Sequence, residues 1–320
     1  MSEIANAETA GVVARSEPIR YRFWPAEACN MCGAPVSAAK VLGLRLNQTQ
    51  GRRPRSKTGV AVTVCRCMTC DLVFANPQPI PDSIGDHYAV PPETYWNSVS
   101  YEPAPGYYAR QIAATKELIG FQPGMTALDV GLGLGKAARV MRDAGFDVSG
   151  FEPSEPFFEK AEAILGRDPE RFKLGSIEDV EFVADSFDFI TFGAVLEHLY
   201  DPAGSISKAL RWLKPGGVIH AEVPNSRHLV SRILNLFYSA SGTGYVTNTS
   251  PMHTPFHLYE FSIDSFRKHG ERAGYEIARH WVDVASIYNL PSVTHGVLRK
   301  IMERSETGLQ LTVFLRKSAA

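Results

Sequence analysis

The stretch "ALDVGLGLGKAARV" (residues 127–140) sets Gly131, Gly133 and Gly135 at alternate positions behind a short apolar run. Glycines between a strand and a helix mark a turn whose backbone approaches a ligand closely. The dinucleotide fingerprint, G-x-G-x-x-G, serves a pyrophosphate at a helix N-terminus. Here the spacing is G-x-G-x-G, and Asp129 precedes it by two residues. A carboxylate at that strand tip repels phosphate and suits an ammonium group. The next strand-like run, "FDVSGFE" (146–152), ends in Glu152, which can accept hydrogen bonds from both hydroxyls of a ribose. After the third run comes "GSIED" (175–179), where Ile177 can pack on an adenine face and Glu178 or nearby backbone can meet its amino edge. The pattern suits a nucleoside without phosphates.

Outward from that turn the chain alternates. "KAARVMRDAG" (136–145), "SEPFFEKAEAILG" (154–166) and "DPAGSISKALRWL" (201–213) have helical spacing and end signals, while "RFKLGS" (171–176), "FDFITFGAV" (187–195) and "GGVIHAEVPN" (216–225) read as strands. Such alternation builds a parallel sheet with helices on both faces, with ligands at the carboxyl ends of the strands. A helix, "GYYARQIAATKELIGF" (106–121), leads in, and "YEIARHWVDVAS" (275–286) and "LQLTVFLRKS" (309–318) are the last two strands, of open direction, with helical "LPSVTHGVLRKIMERS" between them. Residues 225–262 form a long connection of a helix, "SRHLVSRILNLFYSA", and a loop, "SGTGYVTNTSPMHTPFHLYEF". Connections of that length are often lids or binding loops.

The segments "ALDVGLGLGKAARVMRDAGFDVSGFEPS", "GSIEDVEFVADSFDFITFGAVLEHLYDP" and "LRWLKPGGVIHAEVPN" together resemble class I S-adenosylmethionine-dependent methyltransferases over about residues 105–318. The resemblance implies a Rossmann-like, seven-stranded doubly wound α/β sheet. It also implies a cofactor site of Asp129, Gly131, Gly133, Gly135, Glu152 and the segment Ser176, Ile177, Glu178. Leu132 departs from the small or polar residue common in the family and is expected to make the cofactor wall more apolar. No N-P-P-Y follows "FDFITFGAV", which argues against nucleobase-amine methylation, and no C-x-x-x-C-x-x-C motif for radical chemistry occurs.

All five cysteines fall between residues 29 and 70. Cys29-Asn-Met-Cys32-Gly33 and Cys67-Met-Thr-Cys70-Asp71 are two C-x-x-C knuckles, each followed by a residue that tolerates a left-handed backbone. Four thiolates suit a closed, structural, tetrahedral Zn²⁺ site. Cys65 is the spare, because only Cys67 completes a C-x-x-C. With "CDLVFANPQP" and the tyrosines Tyr88, Tyr95 and Tyr101, this layout is similar to zinc-containing sugar C-methyltransferases and related small-molecule enzymes. Those carry Tyr-His-Glu-His where this chain reads "HTPFHLYEFS", with His257 matching the last His and Phe256 replacing the Glu, which weakens the case for a carbon acceptor.

Methyl transfer to a hydroxyl needs alignment, exclusion of water and a base. Candidate bases are His198, His253 and His257, with Glu197 orienting an imidazole and Tyr245 or Tyr259 positioning the acceptor. The other histidines have no supporting constellation, and the aromatics of "LNLFYSA" read first as a packing face.

A net charge of −1 gives no global field toward nucleic acid or membrane, and the basic run "GRRPRSK" (51–57) reads as a solvated loop. Residues 1–18 lack the basic start and apolar core of a secretory signal, and no run approaches a membrane span, so the expected compartment is the cytoplasm. The expected organisation is a tail (1–18), a zinc-binding region (19–90) and a methyltransferase domain (91–320) with a lid insertion at 225–262. The expected activity is methylation of a small molecule, most plausibly a hydroxyl of a sugar or secondary metabolite. The alternatives are a sugar C-methyltransferase, or a zinc-containing nucleic-acid-binding protein on a methyltransferase fold without catalysis.

Overall fold

The computed structural model describes residues 20–46, 60–82, 91–95, 101–253, 255–285, 287 and 290–318. The N-terminal region holds strands β1 (Tyr21–Trp24), β2 (Lys40–Leu46), β3 (Ala61–Arg66), β4 (Val73–Ala75) and β5 (Gln78–Pro81). The remaining strands are β6 (Thr126–Val130), β7 (Asp147–Glu152), β8 (Phe172–Leu174), β9 (Phe187–Gly193), β10 (Leu213–Pro224), β11 (Tyr259–Glu260), β12 (Tyr275–Asp283) and β13 (Gln310–Lys317). Seven of them form one sheet of order β12-β13-β10-β9-β6-β7-β8. Strands β8, β7, β6, β9 and β10 run parallel, and β13 pairs antiparallel to both β10 and β12. The reversed strand is therefore β13, which settles the directions that the sequence left open.

Helices cover both faces, as near-continuous apolar strands require. Beyond a short helical turn at Pro92–Tyr95, the described helices are α1 (Ala109–Ile119), α2 (Lys136–Asp143), α3 (Glu155–Leu165), α4 (Pro202–Trp212), α5 (Leu229–Ala240), α6 (Ile263–Ala273) and α7 (His295–Ser305). On one face Ala127, Phe189, Val218 and Phe314 pack with Ile112, Met141 and Phe158 from α1, α2 and α3. On the other, Leu128, Ile190, Phe192 and Ile219 pack with Ile206, Leu210 and Trp212 of α4, and that core runs on into Met31, Leu72 and Phe74 of the N-terminal region. Each such side chain contributes about 1.5–3 kcal/mol on burial. Helix α4 starts where "DPAG" predicts: the Asp201 carboxylate accepts from Gly204 N at 2.9 Å, and Pro202 opens the first turn.

The N-terminal region makes a second sheet of order β11-β4-β3-β2. Its end strand β11 comes from the long connection, so this sheet draws on residues nearly two hundred positions apart. Prolines do not exclude a strand here: β5 carries Pro79 and Pro81 and, among the described residues, pairs only with β1, an edge position that tolerates missing donors. The basic run 51–57, Tyr88 and the 1–18 tail lie outside the described residues. No helix among the described residues is long and apolar enough to cross a membrane.

Candidate active site

The glycine turn leaves β6 with Gly131 at φ +74°, and a Cβ there would sit 2.7 Å from Val195 Cγ2. Glycine is needed twice over, for the left-handed backbone and for the close approach. Gly133, also left-handed at φ +52°, donates its N–H to Glu152 Oε2 at 2.9 Å and faces open space, while Gly135 is the N-cap of α2. Glu152 Oε1 accepts from Ser154 N at 2.9 Å. Burial pushes the Glu152 carboxyl up to about 7 against the pull of those two amides. Asp129 is 3% exposed, and its Oδ2 has no hydrogen-bond partner among the described residues. Burial, then the neighbouring Glu152 charge, holds Asp129 well above the usual carboxylate range. A buried orphan carboxylate oxygen beside a glycine cradle fits the ammonium end of S-adenosylmethionine, and Glu152 fits its ribose.

A cleft opens next to this turn. It brings Gly131, Ser176, Ile177 and Glu178 together with Val195, His198 and Tyr200. Ile177 is buried and its carbonyl accepts from Lys208 Nζ at 2.8 Å, which fixes the segment. Leu132 does not line this cleft. It turns inward over Gly150, where an added Cβ would lie 2.5 Å from Leu132 Cδ2. Leu132 therefore adds nothing to the cleft wall, which Val130, Phe151 and Val195 make apolar; it packs into the core that Gly150 leaves open.

At the end of β9, Ala194 adopts a left-handed φ of +57° and launches a tight turn, Leu196–His198. Leu258 N donates to Glu197 O at 2.8 Å, and Ser250 brackets His257 with N–H to O at 2.8 Å and Oγ accepting from His257 N at 3.1 Å. These bonds bring two distant segments face to face. The His198 and His257 rings meet edge-on with centroids 4.9 Å apart, and Glu197 Oε1 lies 3.9 Å from His257 Nε2. Burial raises the Glu197 carboxyl to about 8, and burial, with His198 and Arg45 nearby, keeps His257 neutral. His253 joins from the same loop, with Nε2 3.4 Å from Nη2 of Arg45 on β2. Tyr259 does not face an acceptor: it is buried in β11, donates to Tyr200 O at 3.1 Å and accepts from Gln78. Tyr245 stays exposed beside Leu44. Arg45 carries no motif, and only the pairing of β2 with residues 244–246 brings it here.

The ligand atoms of Cys29, Cys32, Cys67 and Cys70 all lie within 4.8 Å of one another, and Cys65 stands outside the group. The closest sulfur pairs are Cys29–Cys70 at 3.6 Å and Cys32–Cys67 at 3.5 Å. A tetrahedral Zn–S₄ centre with bonds of ~2.3 Å has sulfur–sulfur edges of about 3.8 Å, so the four thiols could hold that ion. The knuckles are anchored on both neighbouring helices. Asn30 Nδ2 donates to Asp201 Oδ1 at 2.9 Å and its Oδ1 accepts from Ala203 N at 2.8 Å, while Ser262 and Ser265 hydroxyls donate to Cys70 O at 2.8 and 2.9 Å.

A sheet with one reversed strand, a glycine turn after its central strand and an acid at the end of the next define the class I S-adenosylmethionine-dependent methyltransferases. The chain belongs to the methyltransferase-domain family, whose model matches residues 104–280. Phosphoethanolamine N-methyltransferase 2 of Caenorhabditis elegans is 31% identical over 120 residues, 36% of this chain and 28% of its own. A ubiquinone biosynthesis O-methyltransferase of Burkholderia vietnamiensis is 27% identical over 206 residues, 61% of this chain and 80% of its own. The chain spans about a third of the length of curated relatives such as the first of these. A solved S-adenosylmethionine-dependent methyltransferase from Mesorhizobium loti aligns with a TM-score of 0.46 at 17% identity, covering 67% of this chain and 98% of that one.

Proposed function

We propose that the protein methylates a hydroxyl of a small molecule, a sugar or a secondary metabolite, with S-adenosylmethionine as donor and His257 as base. The observation that carries this is the Glu197–His257–His198 group, which meets the cofactor cleft at His198. The bound cofactor supplies an activated methyl on a sulfonium. Asp129 and Glu152 hold its ends, and His198 lines the cleft. An imidazole kept neutral is ready to take the hydroxyl proton, and Glu197 beside Nε2 would stabilise the imidazolium once it is itself ionised, at or above about pH 8. The four-cysteine group would hold a structural zinc, which fixes the sheet that contributes to the acceptor side.

A second reading has one observation in its favour. Glu197 supplies beside His257 the carboxylate that Phe256 removes from the loop, which also suits abstraction of a proton from carbon. Incubation with methyl-labelled cofactor and a panel of sugar nucleotides, polyols and phenols tests the acceptor. Labelled ether products support O-methylation. Exchange of a substrate C–H with deuterium favours the carbon reading, and transfer only to amines or nucleic acid overturns both.

A further inference from the structure

We propose that Arg45 binds an anionic group, a carboxylate or a phosphate, carried by the methyl acceptor. The proposal rests on the methyltransferase reading and assigns the acceptor's chemical class. Arg45 is 4% exposed on β2, in the sheet of the N-terminal region, and the strand edge beside it is closed by Leu44 N to Gly244 O at 2.8 Å and Val246 N to Leu44 O at 3.1 Å. Its guanidinium is poorly matched where it stands. Nη1 reaches Val246 O at 3.2 Å, Nη2 lies 3.4 Å from His253 Nε2, and Nε has no partner among the described residues.

No described carboxylate forms an ion pair with it. Glu260, the buried acid that feels its charge, is committed to Asn248 Nδ2 at 2.5 Å and Thr249 N at 2.8 Å. The other groups around it are the Tyr238 hydroxyl and two histidines kept neutral. A buried guanidinium whose neighbouring acid is bonded elsewhere is costly, and its planar fork matches carboxylate and phosphate oxygens in pairs. A neutral amide would satisfy Val246 O and His253 equally well, so a purely structural tie gives no reason for the charge.

The placement fits a substrate. Arg45 meets His253, His257 of the same loop meets Glu197 and His198, and His198 lines the cofactor cleft. An acceptor anchored by its anion at Arg45 presents a neighbouring hydroxyl to His257. On this geometry the N-terminal region takes part in substrate recognition and is more than a structural appendage.

The test uses the full, metal-loaded chain saturated with S-adenosylhomocysteine and follows the histidine ring resonances by NMR. Inorganic phosphate, succinate and neutral succinamide are titrated separately. At least one anion should shift His253 and His257 saturably, succinamide should not, and Arg45→Gln should weaken the effect at least tenfold, with Arg45→Lys losing less. Phosphate alone points to a phosphorylated acceptor, and succinate alone to a carboxylic acid. The proposal is overturned if neither anion moves these resonances, if succinamide acts as strongly as succinate, or if Arg45→Gln binds as wild type does. Should Arg45→Gln fail to fold, the wild-type comparison of succinate with succinamide decides. Failure of wild type to bind S-adenosylhomocysteine sinks the methyltransferase reading, and the anion titrations can still be read on ligand-free protein.

Discussion

Glu152 ends β7 with both oxygens on backbone amides, and on the proposed reading cofactor binding turns on it. Glu152→Ala should weaken S-adenosylhomocysteine binding by about 10–100-fold, the loss of charge-assisted bonds worth about 1.5–3 kcal/mol; unchanged affinity by calorimetry would contradict the assignment. The same carboxyl makes the ligand-free protein pH-sensitive. Its value rises from 4.5 to about 7 on folding, so the folded chain holds a proton that the unfolded chain releases. Stability from this group is greatest below 4.5, falls as pH rises toward about 7, and stays low above it. Denaturation series between those limits should show a loss of up to about 3 kcal/mol, which Glu152→Gln removes. His257→Ala should lower kcat by about 10²–10⁴-fold, with cofactor affinity intact; a smaller drop in single-turnover assays would move the base to His198 or His253. The place of Asp129 and Glu152 near the ends of β6 and β7 was legible in the sequence from the alternation of strands and helices, and their ligand role is the proposed one. Arg45 was not, since a lone arginine in a β run gives no sign of its neighbours 200 positions away.

Among the elements, the helices and parallel strands follow the sequence because their periods and end signals are local. Asp201 shows how one end signal serves two parts of the fold: it caps α4 and holds Asn30 of the first knuckle. Asp201→Ala should therefore destabilise the protein by about 1–2 kcal/mol, measured by urea denaturation. An Asn30→Ala, Asp201→Ala pair should cost less than the sum of the singles, because the two changes break one shared bond. Strands β1, β2 and β5 escaped the sequence reading because they are short, proline-bearing or poor in alternation, and tertiary pairing defines them. The turn at Leu132 escaped it for a related reason: the side chain's direction depends on the space above Gly150 in the next strand.

For the whole molecule, regions that the sequence suggests are separate are built into one another. Strand β11 completes the N-terminal sheet, Arg227 pairs with Asp71 and Asp264 at 2.6 Å, and the apolar core is continuous from Met31 to Phe192. Removing metal with a strong chelator should lower the thermal midpoint and abolish acceptor turnover while S-adenosylhomocysteine still binds, since Asp129 and Glu152 lie in the other sheet. Equal loss of both functions on chelation would show that the regions unfold as one. The twin knuckles announced their cluster by spacing alone, but no local pattern could reveal that β4 takes its neighbour from residues 259–260.

That last pairing has a consequence for synthesis. As the chain leaves the ribosome, β4 waits with one edge bare until residue 260 emerges, long after its own hairpin partners are available. An open strand edge invites association with other nascent chains. The cysteines at 29–70 are all released early, so a metal captured then would hold the incomplete sheet together through the delay. Expression in zinc-starved cells should accordingly yield aggregated protein that zinc added after harvest does not recover.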